Sequence, residues 1–287
     1  MNLFRVSCFG FRIWFRIVRV GFLGIMIDLL IESNVIRDVG LVIFDKDGTL
    51  IELYHYWSQM VALRARLICE ALGLGKEHES GLRWALGVDE RAGRLRPEGP
   101  VGLKKREIVI EAATDYFDGI GHRDTLRLCE QAFEHADEIS SGDLSRFIRP
   151  IRGAVSLMGA LSKRGCCVAL ATVDISRRAR LAMEFMGVSD TLDLVVGGEE
   201  VARSKPDPEM IHLILDRLGV DRSQAVMVGD ALNDVQMGAN AGLKASIGVL
   251  TGFATAEQMR PLTPFIAQDV SELAVRAKSN YNDHIQM

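Results

Sequence analysis

Gly40-Leu41-Val42-Ile43-Phe44-Asp45-Lys46-Asp47-Gly48-Thr49-Leu50 carries the strongest structural signal in the chain. Its first five residues form a short apolar run with no polar alternation, the signature of a strand buried on both faces. Two carboxylates follow at once, and glycine then permits a tight turn. Asp45 and Asp47 are two residues apart, so side chains that alternate along an extended chain project to the same side. By itself the segment also reads as an acidic turn, since Asp and Gly are ordinary turn formers.

Similar runs recur further along, at Cys166–Ala171, Leu194–Val196, Ala225–Val228 and Ala245–Val249. Helical periodicity separates them, at Ala154–Lys163, Ser176–Met186, Pro208–Leu218 and Asp234–Ala241. Alternating strand and helix at this spacing predicts an α/β fold, a doubly wound parallel sheet covered on both sides. Right-handed crossovers then bring all strand C-termini to one edge, where such sheets bind ligands. Residues 52–148 interrupt the pattern with helical periodicity (Trp57, Met60, Val61, Leu67, Ile68) and no convincing strand. We read them as a helical insert above that edge, with 91–100 as a loop, between core segments 40–51 and 149–278. Residues 279–287 are polar and read as a disordered tail.

The composition is that of a soluble globular enzyme, 48% hydrophobic and 25% charged. A net charge of −4 provides no basic field to draw the protein to nucleic acid. Five cysteines (Cys8, Cys69, Cys129, Cys166, Cys167), an odd number with no CxxC pair, argue against a disulfide framework. They point to a reducing, cytoplasmic compartment. Residues 1–25 differ from the rest, with Arg5, Arg12, Arg16 and Arg19 in an apolar background. These arginines interrupt every window long enough to span a bilayer. A basic amphipathic surface helix and an organelle presequence are alternatives; we take the segment as an extension outside the fold, and any membrane contact would be confined to it.

Three further sites stand at or near strand ends. Thr172 closes the second run, and its hydroxyl and neighbouring amides could hold phosphate oxygens, although Thr172 and Asp174 would serve equally as caps of the next helix. Lys205 precedes Pro206-Asp207-Pro208, a helix start, and a lysine there could offset two aspartates and an anion; a solvated lysine is the commoner fate. Gly229-Asp230-Ala231-Leu232-Asn233-Asp234 follows the fourth run, where Asn233 or Asp234 could also be a helix cap.

Taken in order, Asp-x-Asp, Thr, Lys and Gly-Asp-x-x-Asn-Asp resemble the haloacid dehalogenase superfamily, in particular its phosphatases with a helical cap after the first motif. The resemblance covers residues 40–250. It implies Asp45 as nucleophile, Asp47 as general acid/base, and Thr172 and Lys205 as stabilisers of phosphate charge. It implies a Mg²⁺ ion held by Asp45, Asp230 and the Asp47 carbonyl, with Asp234 and Asn233 in support. The expected reaction is hydrolysis of a small phosphomonoester, similar to phosphoglycolate phosphatases, with a sugar phosphomutase as the alternative. Dehalogenation has no use for Asp47, and a cation pump would need membrane spans. Val173 departs from the asparagine many relatives carry after the threonine. Arg91, Arg94 and Arg96 are candidate contacts for an anionic leaving group, against a solvated-loop reading. Oligomeric state is not legible.

Overall fold

The computed structural model describes residues 26–277, so the expectations for 1–25 and 279–287 lie outside the described residues. The central element is β3 (Leu41–Phe44), and every residue of it is buried. Val42 and Phe44 enter the core on one face while Leu41 and Ile43 enter a second cluster on the other. Period-two alternation between two apolar layers is why the strand carries no polar residue.

Around it lie β6 (Cys167–Ala171), β7 (Leu194–Val196), β8 (Ala225–Gly229), β9 (Ala245–Val249) and β10 (Ile266–Ala267). They form one sheet in the order β10-β9-β8-β3-β6-β7, parallel throughout. The helices α6 (Ala154–Lys163), α7 (Ser176–Phe185), α8 (Glu209–Leu218) and α9 (Leu232–Asn240) connect the strands, and the four-residue α10 (Ala256–Met259) precedes β10. With β6 and β8 as the direct neighbours of β3, the ends of all three strands meet at the middle of the C-terminal edge.

The expectation of no convincing strand in the insert needs correction. Its helices are α1 (Leu53–Leu72), α2 (Lys76–Leu86), α3 (Arg106–Gly119), α4 (Leu126–Gly142) and α5 (Leu144–Phe147), and a small hairpin, β4 (Val88–Asp89) with β5 (Arg94–Leu95), lies between α2 and α3. Two-residue strands are too short to show any periodicity. The segment read as a loop at 91–100 therefore supplies the turn and the second strand of this hairpin.

A second sheet lies outside the alternating pattern. β1 (Ile27–Ile31) pairs antiparallel with β2 (Asn34–Val39) and with β11 (Leu273–Ala277), which returns from the far end of the chain. Ile27, Leu29, Ile31, Ile36 and Val39 join the main core. The sequence hid the hairpin because its turn and bulge use Glu32 and Asp38 at positive φ, 50° and 58°, where glycine or Asn-Gly is the usual signal.

Candidate active site

Asp45 extends β3 by one residue, its amide bonded to the Val228 carbonyl at 2.9 Å. The chain then turns: the amides of Leu50 and Ile51 both return to the Lys46 carbonyl, at 2.9 and 3.1 Å. Gly48 has φ +92°, and a Cβ there would stand 2.5 Å from the Asp230 carboxylate. Only glycine fits that approach. Thr49 donates its hydroxyl to Asp230 Oδ1 at 3.2 Å, and the Phe253 amide donates to Oδ2 at 3.2 Å.

Lys205 projects from the loop between β7 and α8. Its Nζ donates to Asp45 Oδ1 at 2.6 Å and to Asp234 Oδ1 at 2.7 Å, with all three side chains buried. Asp234 accepts a second bond from the Ala231 amide at 3.1 Å and closes the first turn of α9. The cap position itself belongs to Ala231, so neither Asn233 nor Asp234 is the N-cap. The sequence alternative fails because Asp234 sits at the third helical position and bonds backwards.

Asp45, Asp230 and Asp234 each offer an oxygen, and these atoms lie within 4.8 Å of one another. Burial lifts the Asp45 carboxyl to about 7; Lys205 opposes the shift, and the negative Asp234 and Asp47 add to it. Burial likewise raises Asp230 well above the ordinary range, reinforced by Asp45 and Asp234. For Lys205 burial acts downward, but the two carboxylates outweigh it and hold the ammonium protonated. Three buried carboxylates against one ammonium leave an uncompensated negative charge in an all-oxygen donor set, which suits a hard divalent cation.

Asp47 faces another group. Its Oδ1 is 3.0 Å from Lys46 Nζ, yet neither carboxylate oxygen has an aligned hydrogen-bond donor among the described residues. Burial raises its pKa, partly offset by Lys46 and reinforced by Asp174. Lys46 is wholly buried: it donates to Asp174 Oδ2 at 2.9 Å and stands 4.2 Å over the Tyr56 ring. Arg178 bonds the Tyr56 hydroxyl, Asp137 and Ser140, and Asp137 also takes Arg106 at 2.7 Å with Arg64 at 3.7 Å. This network ties α1 and α4 of the insert to the turn carrying the first two aspartates.

Thr172 is buried, and its hydroxyl oxygen accepts the Asp174 amide at 3.1 Å. Neither Thr172 nor Asp174 caps the next helix, whose cap position is Ile175 with no side-chain cap bond; Asp174 Oδ1 takes the Ile175 amide while Oδ2 is held by Lys46 and Tyr56. A cavity over the first group is lined by Asp45, Lys205, Asp230, Asn233 and Asp234 from the core and by Gly102 and Leu103 from the insert, with Val173 and Phe253 alongside. Arg91 and Arg94 are exposed, and Arg96 stacks 3.9 Å over Trp84; none of the three lines the cavity. Sequence reasoning passed over Lys46, Tyr56 and Arg178. The available signal was a lysine at the end of a doubly buried strand, which must find a carboxylate, although its partner is 128 positions away.

Residues 39–242 match the model of the haloacid dehalogenase-like hydrolases. The chain belongs to this family. Among haloacid dehalogenase-like proteins, a phosphoglycolate phosphatase of Rhodospirillum rubrum is 42% identical over 204 residues, 70% of this chain and 76% of that protein. The "Probable phosphatase IndB" of Dickeya dadantii is 36% identical over 125 residues, 44% of this chain and only 54% of its own length. A crystal structure described as a predicted phosphoglycolate phosphatase from Haemophilus somnus 129PT shares the haloacid dehalogenase-like fold, with a TM-score of 0.64 at 17% identity over 83% of this chain and 97% of that one. Among the described residues no helix is long and apolar enough to cross a membrane.

Proposed function

We propose that this hydrolase is a Mg²⁺-dependent phosphatase that removes phosphate from a small phosphorylated metabolite, of the phosphoglycolate type, through a covalent intermediate on Asp45. The observation that carries the reading is the pair formed by Asp45, bonded to Lys205 at the cavity floor, and Asp47, buried beside Lys46 at 3.0 Å with no aligned hydrogen-bond donor among the described residues. The phosphatase names of the relatives support it.

Asp45 attacks phosphorus in line while Lys205 sets the angle of its carboxylate and offsets charge on the phosphoryl oxygens. Asp47, its pKa raised by burial, protonates the departing oxygen and then takes a proton from the water that cleaves the aspartyl-phosphate. Mg²⁺, held by the carboxylates of Asp45 and Asp230 and the Asp47 carbonyl with Asp234 in support, would supply a further positive charge beside the phosphoryl oxygens. Thr172 shapes the turn after β6 through the Asp174 amide, and its hydroxyl faces the anion in this reading. Residues 52–148 act as a cap that excludes water and reads the leaving group.

The test is a pair of variants. Asp45→Asn should lose turnover on the order of 10⁴–10⁶-fold, the scale on which nucleophiles and their partners matter in other covalent hydrolases, with the melting temperature retained. Asp47→Asn should fall by roughly 10²–10⁴-fold on alkyl phosphates and less in the first step on activated aryl phosphates, so that phosphoenzyme accumulates in rapid-quench traps. Release of inorganic phosphate separates hydrolysis from mutase transfer. An active Asp45→Asn enzyme, or metal-independent turnover, overturns the reading.

A further inference from the structure

Trp57 on α1 is 5% exposed, and its indole Nε1 is buried without an acceptor among the described residues. Buried indole N–H groups ordinarily find a partner, and one left unmet is destabilising. Its position gives the omission a purpose. A Cβ at Gly102 would lie 3.4 Å from Trp57 Nε1 and 3.2 and 3.3 Å from two carbons of the Phe253 ring. Gly102 and Phe253 both line the cavity above Asp45 and Lys205. The Cβ that Gly102 lacks, at φ +79°, would fill the space between the indole Nε1 and the Phe253 ring at the cavity wall, and we call that space the Gly102 window.

We propose that Trp57 is a specificity-determining residue, its N–H donating through the Gly102 window to an oxygen on the leaving group of the substrate. The inference rests on the phosphatase reading above and adds to it which group recognises the alcohol half. With Asp45 and Lys205 on the floor, the alcohol must leave upward, towards the insert, where Gly102 and Leu103 meet the cavity. The indole can only donate, so the recognised atom is an acceptor. That the acceptor is anionic follows from the phosphoglycolate-type reading above, and the Arg64 guanidinium, 5.7 Å from the Trp57 ring and 3.7 Å from Asp137, adds positive charge on that side. The chemical class is a small phosphomonoester whose leaving group carries a carboxylate. The Tyr56 ring, edge-on at 5.0 Å between centroids, fixes the indole plane, so the donor is oriented before binding.

The experiment compares 2-phosphoglycolate with ethyl phosphate, similar in length but lacking the carboxylate, on the full-length metal-loaded chain and on Trp57→Phe. The variant keeps an apolar ring and removes the donor. We expect kcat/KM on 2-phosphoglycolate to fall about ten- to hundredfold, the worth of a hydrogen bond to a charged group, while ethyl phosphate changes by less than about threefold. The melting temperature should fall only by the packing that the smaller ring gives up, since Trp57 Nε1 has no hydrogen-bond partner among the described residues. A purely structural role for Trp57 would lower both substrates together, and that result, or no change in either, overturns the inference. If Trp57→Phe does not fold, a benzothienylalanine at position 57 removes the N–H at nearly constant shape and reads the same ratio. A wild-type chain that cleaves ethyl phosphate as fast as 2-phosphoglycolate overturns the inference and leaves the phosphatase reading standing. One that releases phosphate from neither, nor from activated aryl phosphates, overturns that reading and the inference with it.

Discussion

The turn after β3 sends Asp45 and Lys46 into two buried charge groups of opposite character. On one side Asp45, Asp230 and Asp234 share a single lysine and open onto a cavity. On the other, Lys46, Arg64, Arg106 and Arg178 surround Asp47, Asp137 and Asp174 beneath the helices of the insert. The first has an excess of negative charge and room for something else. The second is close to balanced and joins three parts of the chain. Buried ions tolerate neither excess nor isolation, and in our proposed reading a cation and an anion from solution complete the first group. The second is already complete, and its role is to fasten insert to core. Asp47 links the two, in contact with Lys46 at 3.0 Å while its charge also acts on Asp45.

If the second group is a fastening, breaking it should cost stability ahead of chemistry. Arg178→Met removes the donor shared by Tyr56, Asp137 and Ser140 and leaves carboxylates with less compensation. A buried pair broken from one side loses about 3–5 kcal/mol. Urea unfolding should reveal a loss of that size, whereas Arg178→Lys, which keeps the charge, should recover part of it. A variant as stable as the parent would mean that the network is a passive by-product of packing.

The first group should announce itself through pH. Burial raises Asp45 from 3.8 to about 7, so the folded state holds a proton that the unfolded chain has already lost. Its contribution is full below pH 4 and disappears as pH rises through 7, with a slope of up to about 1.4 kcal/mol per unit. Asp47 and Asp230, also raised by burial, act in the same sense. Asp174 has the opposite sign, because Lys46 and Arg178 overcome its burial and hold it well below the ordinary carboxylate range, and its contribution is already present above that range. Metal-free protein should therefore melt lower at pH 7 than at pH 5, and Asp45→Asn should flatten the difference. Added Mg²⁺ should raise the melting temperature more at pH 7.5 than at pH 5, since protons and metal compete for the same oxygens.

How much of this was legible depends on the range over which each feature is encoded. The strands β3, β6, β7, β8 and β9 were visible because burial on both faces writes a continuous apolar run into a few residues. Asp45, Asp47, Thr172, Lys205, Asp230 and Asp234 stood out because each lies next to such a run or before a helix start. The sheet of β1, β2 and β11 was hidden, since its closing pair joins Ile27 to Ala277 and its turn uses Glu32 where glycine was the signal. The roles of Lys46 and Trp57 were hidden for a related reason. A buried lysine and a buried indole mean something only against partners brought by other segments, Asp174 in one case and the gap at Gly102 in the other.

The smallest effect we expect concerns the insert's own charged loop. Arg91, Arg94 and Arg96 were the sequence's candidates for reading an anionic leaving group, since three guanidiniums within six residues make a plausible anion site. The hairpin of β4 and β5 places them elsewhere. Arg91 and Arg94 face solvent. Arg96 is occupied by the Trp84 ring and by the Trp84 carbonyl at 3.2 Å. Exposed charges separated from the reaction centre are screened within about 8–10 Å at physiological ionic strength. Their joint replacement by alanine should therefore leave the ratio of kcat/KM between 2-phosphoglycolate and ethyl phosphate unchanged within about twofold, and stability within about 1 kcal/mol, chiefly from the lost Arg96–Trp84 stacking. A steady-state comparison at low and moderate salt checks both halves of the argument. A ratio that collapses in the triple variant at moderate salt would transfer the reading of the leaving group from the Gly102 window to this hairpin, and the insert would then have to rearrange to bring its arginines into a cavity they do not line.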